Sequence, residues 1–258
     1  MSDKNLIVSA GKEQWKFETG DSIYRSPVVS DGILYVGSSD KHLYAVDAKT
    51  GKEQWWKPDY DYSSNILAVS DGVVYFGSFI FNYDNNDNHL HAVDAKTGKE
   101  QWRFRTGGSI SSTVSDGVVY FGSYDWHLYA VDAKTGKEQW KFETGGHVRS
   151  SPFVQDGIVY CGSNDKHFYA FDAKTGKEQW KFETGGHVRS SPFVQDGIVY
   201  IGSNDNHLYA VDAKTGKEQW KFKTGDSIYS SPAVSNGIVY VGSSKTLYAS
   251  KIISSDEE

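Results

Sequence analysis

Arg149 and Arg189 each follow a histidine by two residues, in two copies of Gly-Gly-His-Val-Arg-Ser-Ser-Pro. A guanidinium offers planar, fixed donors that match a carboxylate or phosphate, and His147 and His187 stand ready to add a donor at low pH. Tyr24 and Arg25, before Ser26-Pro27, occupy the matching place near the N-terminus, and Tyr229 does so near the C-terminus. Tyr24, Trp126 and Tyr229 offer ring faces on which a sugar or an apolar group stacks. Five further histidines, His42, His89, His127, His167 and His207, recur in register. One per repeat places them too far apart for a single zinc ion, whose ligands sit at about 2.1 Å. A strand-start role is expected for them, and no metal site. The stretch Asp84–Asp87 is rich in oxygen donors that attract calcium, yet lacks the EF-hand spacing. The chain has no Gly-rich phosphate loop, nucleophile elbow or His-Glu-x-x-His motif, so no catalytic residue and no cofactor are expected.

What positions these residues is a repeat. Asp47-Ala48-Lys49-Thr50-Gly51-Lys52-Glu53-Gln54-Trp55 returns at Asp94–Trp102, Asp132–Trp140, Asp172–Trp180 and Asp212–Trp220, with a truncated copy at Ala10–Trp15. A second marker, Asp-Gly or Asn-Gly, opens at Asp31, Asp71, Asp116, Asp156, Asp196 and Asn236, each time before an apolar-aromatic run ending in Gly-Ser. A third is Leu43–Asp47 with its counterparts at Leu90, Leu128, Phe168, Leu208 and Leu247. One unit holds four short strands: Ser190–Val194, Ile198–Ser203, Leu208–Asp212 and Lys217–Lys223 are predicted in the fifth. Four strands per unit of about 40 residues, six times over, predict an all-β, six-bladed β-propeller of antiparallel four-stranded blades. The last copy stops after its third strand, and Gly11–Thr19 is expected to supply the missing one and close the ring. A single domain over 1–253 and a flexible acidic tail over 254–258 follow. Asp132–Tyr160 and Asp172–Tyr200 are identical over 29 residues, the mark of recent duplication or deliberate construction.

Composition narrows the function classes. With 27 basic and 33 acidic residues the net charge is −6, against a general nucleic-acid binder. Cys161, the single cysteine, stands where Ile201 stands in the next copy, so it reads as a small core residue. No secretory h-region and no membrane-length apolar run occur, so a cytoplasmic monomer without membrane contact is expected.

The pattern Ala45-x-Asp47-x-x-Thr50-Gly51-Lys52-Glu53-x-Trp55, matched at Ala92–Trp102, Ala130–Trp140, Ala170–Trp180 and Ala210–Trp220, resembles the tryptophan-docking motif of the pyrroloquinoline-quinone-type propeller repeats. The resemblance implies that Trp15, Trp55, Trp102, Trp140, Trp180 and Trp220 pack between neighbouring blades and lock them. The family includes quinone-dependent dehydrogenases, which resemble one another in larger propellers, an adjacent Cys-Cys pair and a calcium site. This sequence has none of those features. Other members are non-enzymatic assembly lipoproteins and sensor domains.

The near-invariant turns fall on one face of the predicted propeller, and the divergent segments on the other. The sites are therefore expected there: Tyr24, Arg25, Trp126, His147, Arg149, His187, Arg189 and Tyr229 around the channel mouth, with Asp61 and Asp226 as competing ion-pair partners. The insertion Phe79–Asn88, with Trp126 beside it, forms an apolar patch if it does not fold down. The sequence points to a non-catalytic scaffold for an unidentified protein or a small acidic ligand. Its rivals are a carbohydrate-binding propeller, an amplified or engineered propeller with no ligand, and a quinone-dependent enzyme.

Overall fold

The computed structural model describes residues 13–23, 26–58, 65–78, 88–108 and 110–252. Every regular element among them is a strand. None is a helix long and apolar enough to cross a membrane. The strands form six antiparallel sheets in chain order: blade one over 28–57, two over 65–106, three over 110–143, four over 153–183, five over 193–223 and six over 233–251. Sequential order within every sheet makes each blade a meander.

The local chemistry explains the meander. Asp31, Asp71, Asp116, Asp156, Asp196 and Asn236 adopt φ near 50°, and the glycine after each has φ of 70–75°. Two consecutive left-handed residues make the hairpin turn whose twist suits antiparallel strands. After the third strand, Asp47 Oδ1 accepts bonds from the Thr50 backbone N–H at 2.7 Å and hydroxyl at 2.7 Å. The same caps recur at Asp94, Asp132, Asp172 and Asp212. These aspartates are turn devices, as expected.

The first strand is shorter than the sequence suggests. In blade five it is Phe193–Gln195, not Ser190–Val194. Pro192 has no N–H to give a ladder, and the Ser191 N–H is committed to the Ser231 hydroxyl at 3.3 Å. Ser151 N–H reaches the Ser191 hydroxyl at 2.9 Å. These approaches therefore tie neighbouring blades together, around the axis that the adjoining first strands line.

The core lies in the seams. Tyr120, Leu128 and Ala130 of blade three pack on Val159, Cys161, Tyr169 and Phe171 of blade four, and four more clusters repeat this arrangement. Cys161 is wholly buried, and burial raises its thiol far above the usual range. It is a core residue and not a reactive one.

Tryptophan docking holds at five positions. Trp55 Nε1 donates to the Ala95 carbonyl of the next blade at 3.0 Å, and Trp102, Trp140 and Trp180 do the same to Ala133, Ala173 and Ala213. Trp15 donates to Ala48 of blade one at 3.1 Å. Trp220 differs. It faces blade six, where the Ala-Lys-Thr-Gly turn is missing, and packs into the cluster with Val239, Val241 and Ile252.

The N-terminal segment makes toward blade one the contacts that fourth strands make toward the next blade. Blade six has three strands, and among the described residues no ladder joins Glu13–Thr19 to Thr246–Lys251. Gly11 and Lys12 lie outside them. The segment sits against blade one, as a fourth strand of blade six does in a closed ring. Trp15 is docked there, Phe17 packs edge-on to Tyr44 at 5.3 Å, and Gly20 N–H meets Asp40 at 2.6 Å. Elsewhere a five-residue turn delivers the fourth strand to the third. Here the two lie at opposite ends of the chain.

Candidate functional site

The two faces separate as the sequence implies. Ala48 N–H bonds to Gly32 O at 2.9 Å, joining the two kinds of turn on one face, and Ala133, Ala173 and Ala213 repeat this with Gly117, Gly157 and Gly197. On the other face the loop between second and third strands meets the link between blades.

A second lock recurs on that face. Asp205 accepts from Gly185 N–H of the preceding link at 2.6 Å, from the Tyr209 hydroxyl at 2.6 Å and from His207 N–H at 3.0 Å. Asp40, Asp125 and Asp165 make equivalent bonds. His127, His167 and His207 each start a third strand beside such an aspartate, and His42 immediately precedes one, the role expected of them. Burial alone would raise Asp205 and Asp40, but the bonds from tyrosine hydroxyls and backbone N–H groups outweigh it and hold both below the usual 3.8. In the turns, hydrogen bonds from Thr50 and its counterparts lower Asp47, Asp94, Asp132, Asp172 and Asp212.

One titratable group went unnoticed in the sequence. His91 stands where the other blades have tyrosine, is 5 % exposed, and stacks on Phe76 at 4.9 Å. Its Nδ1 lies 3.0 Å from Glu100 and its Nε2 2.9 Å from the Ser78 hydroxyl. Burial pushes its pKa down despite Glu100. A histidine depressed on folding is protonated first in the unfolded chain, so its contribution is lost as pH falls below about 6.5. The depressed aspartates contribute above their unfolded value and lose that below about pH 4. An acid titration followed by circular dichroism is therefore expected to show stability declining in two stages, and His91→Gln to remove the upper one.

The rim of blades three to five is a zipper. The His147 ring bonds through Nδ1 to Tyr124 O, and Asn164 N–H bonds to His147 O at 2.9 Å. The His187 ring bonds through Nδ1 to Asn164 O, Asn204 N–H to His187 O at 2.9 Å, and the Ser227 hydroxyl to Asn204 O at 2.9 Å. A carbonyl only accepts, so Nδ1 of each histidine carries a proton. His147 and His187 therefore connect the rim through Nδ1, with Nε2 left to meet a ligand.

The arginines differ. The Arg149 guanidinium lies over the Tyr124 ring at 4.4 Å, and its Nε is buried without an acceptor. Arg189 Nε donates to Asn164 Oδ1 at 3.0 Å, and its guanidinium stands 6.0 Å from the Tyr229 ring. Neither has a carboxylate partner among the described residues. Asp226, the expected competitor, accepts from Ser227 N–H at 2.7 Å instead. Trp126 and Tyr229 are 47 % and 57 % exposed and lie at opposite ends of this arc. They do not form one stacking platform. Tyr24, Arg25, Asp61, residues 79–87 with their candidate calcium donors and apolar patch, and the tail after residue 252 lie outside the described residues. Tyr124, Asn164 and Lys166, which complete the rim, were missed because only their place beside the links marks them.

The rim does not fit a calcium–quinone centre. Calcium takes several oxygen ligands, whereas this mouth presents Arg, His and Asn, and Cys161 is sealed in a seam. Among the described residues no three His, Cys, Asp or Glu side chains converge on one point.

Comparison with known proteins agrees with the fold. No curated protein matches the sequence. The crystal structure of BamB from Moraxella catarrhalis is similar at 20% identity and a TM-score of 0.77, over 92% of this chain and 76% of that one. The computationally designed Ika8 protein is similar at 19% identity and a TM-score of 0.78, over 90% and 71%. Quinohemoprotein alcohol dehydrogenase from Comamonas testosteroni matches at 20% identity and a TM-score of 0.63, over 79% of this chain but 43% of that one. The family profile described as outer membrane protein assembly factor BamB matches residues 3–111, 86–192 and 182–256. With its seam-docked tryptophans and six-sheet architecture, the chain belongs to that family of pyrroloquinoline-quinone-type repeat propellers.

Proposed function

We propose that this propeller is a non-catalytic binding scaffold whose rim, over blades three to five, holds an acidic group of a partner. One observation carries the reading. Arg149 and Arg189 are fixed by a tyrosine face and an amide, neutral partners that orient a guanidinium without neutralising it. A half-buried guanidinium lacking a carboxylate, on a chain of net charge −6, is a site kept for a negative ligand. The family's description, an assembly factor, supports a protein as that partner. The designed neighbour and the 29-residue identity favour a second reading, a repeat scaffold with no ligand.

The two readings separate in one titration. An acetylated, amidated hexapeptide with two adjacent glutamates and four glycines is titrated calorimetrically into the wild type and into Arg149→Gln/Arg189→Gln. Measurable binding that weakens with salt, and falls at least tenfold in the double variant, is expected. Equal heats in both proteins, or none in the wild type, would leave the ligand-free scaffold standing.

A further inference from the structure

Three blade junctions place different side chains on one backbone. Between blades three and four the row is Trp126, His147, Tyr124 and Arg149. Between four and five it is Lys166, His187, Asn164 and Arg189. Between five and six it is Asn206, Ser227, Asn204 and Tyr229. The backbone is the same in each: Thr144, Thr184 and Thr224 N–H groups bond at 2.8 Å to the carbonyls of Trp126, Lys166 and Asn206.

Trp126 is the anomaly. Its φ is 74°, against 74°, 73° and 71° for Lys41, Lys166 and Asn206 in the equivalent turns. Left-handed backbone suits asparagine and penalises a bulky aromatic. The turn requires only the carbonyl, which any residue supplies. Trp126 is 47 % exposed, and its ring meets His147 in a T-shaped contact with centroids 6.4 Å apart. From there the row runs through Tyr124, 5.2 Å from His147, to the Arg149 guanidinium 4.4 Å over Tyr124. A strained, half-exposed tryptophan that folding does not need, next to an arginine without a counter-ion, has the composition of an interface hot spot.

Resting on the rim reading above, we infer that Trp126 is a recognition platform, and that the partner is an acidic peptide segment carrying an aromatic side chain. The acidic group lies at Arg149 and Arg189, with exposed Lys166 beside them, and the aromatic ring lies on Trp126. Charge complementarity selects the acid: three cations without carboxylate partners among the described residues line this arc of a chain of net charge −6. Tryptophan, tyrosine and arginine together favour a peptide surface over a free anion, which needs no ring.

The test adds hexapeptides with a tyrosine scanned through the glycine positions of the diglutamate probe, and the variant Trp126→Asn, which installs the residue found at Asn206. Tyrosine at one position is expected to tighten binding to the wild type about tenfold, and Trp126→Asn to return affinity to the level of the tyrosine-free probe. Arg149→Gln/Arg189→Gln is expected to lose both probes. The Tm of Trp126→Asn is expected to equal the wild-type value or exceed it by about 2 °C. A lower Tm would make the indole structural and overturn the inference. A tyrosine gain that is absent, or that survives in Trp126→Asn, overturns it while leaving the rim reading intact. Binding of an oligogalacturonate that depends on Trp126, with the tyrosine gain absent, overturns the peptide partner. If neither peptide binds the wild type, both readings fall.

Discussion

Trp140→Ala is expected to destabilise the propeller by about 4 kcal/mol, read from the urea midpoint at constant slope. Trp140 is 8 % exposed, stands 5.9 Å from Tyr120 and 6.4 Å from Phe171, and closes the face of Gly176 in the next blade. Its removal opens a seam between two sheets that cannot move together, because each is tied to its neighbours on the far side. A subtler test concerns the acceptor. Ala173 O takes one bond from Trp140 Nε1 at 2.9 Å and another from the Tyr120 hydroxyl at 3.2 Å. Trp140→Phe or Tyr120→Phe alone leaves the carbonyl one donor, at a cost of about 1 kcal/mol each. The double variant leaves it none, so the cycle is expected to show about 1 kcal/mol beyond additivity. Additive losses would mean that water reaches this carbonyl as easily as the side chains do.

The same seam shows why so much of the fold was legible in the sequence. A residue that recurs at a fixed place in five units has one structural task, and Asp47, Gly51 and Trp55 with their counterparts, Trp220 excepted, are accounted for by turn caps, close approach and docking. The repeat also exposed the two faces, because turn chemistry is written in Gly, Asp and Thr. The N-terminal segment was half legible. Its Glu-Gln-Trp signature correctly places Trp15 against blade one, while a backbone ladder to Thr246–Lys251 is not seen among the described residues.

The rim was legible only as a difference among copies. Arg149 and Arg189 stood out because their charge is rare in the links. His147 and His187 stood out for the same reason, and the structure adds a tie the sequence does not show: the Nδ1 bonds to Tyr124 O and Asn164 O fix these rings on the scaffold. Those carbonyls belong to ordinary loop residues 23 positions away in sequence, so nothing local announces them. His91 was hidden the other way, as a single deviation from tyrosine in a third strand. Asn164 was invisible because its contribution, the amide that aims Arg189, exists only once two blades are side by side.

Glycine offers the sharpest separation of backbone strain from packing. Gly176 has φ of 69°, and a Cβ there would lie 2.6 Å from Trp140 Cδ2; Gly157 has φ of 73° with nothing within 4 Å. Alanine at either position bears the left-handed penalty, about 1–2 kcal/mol. Only at Gly176 must a docked indole also shift, and overpacking of this kind adds about 1–3 kcal/mol. Gly176→Ala is therefore expected to cost about 4 kcal/mol and Gly157→Ala about 1.5 kcal/mol, measured as paired urea unfolding curves. Combining Gly176→Ala with Trp140→Ala is expected to cost clearly less than the sum, since the added methyl then meets the space the indole left. Equal losses at the two glycines would show that the Thr-Gly step is kept for its backbone angle alone. The gap between them isolates the close approach of Gly to Trp as the interaction that fixes one blade against the next.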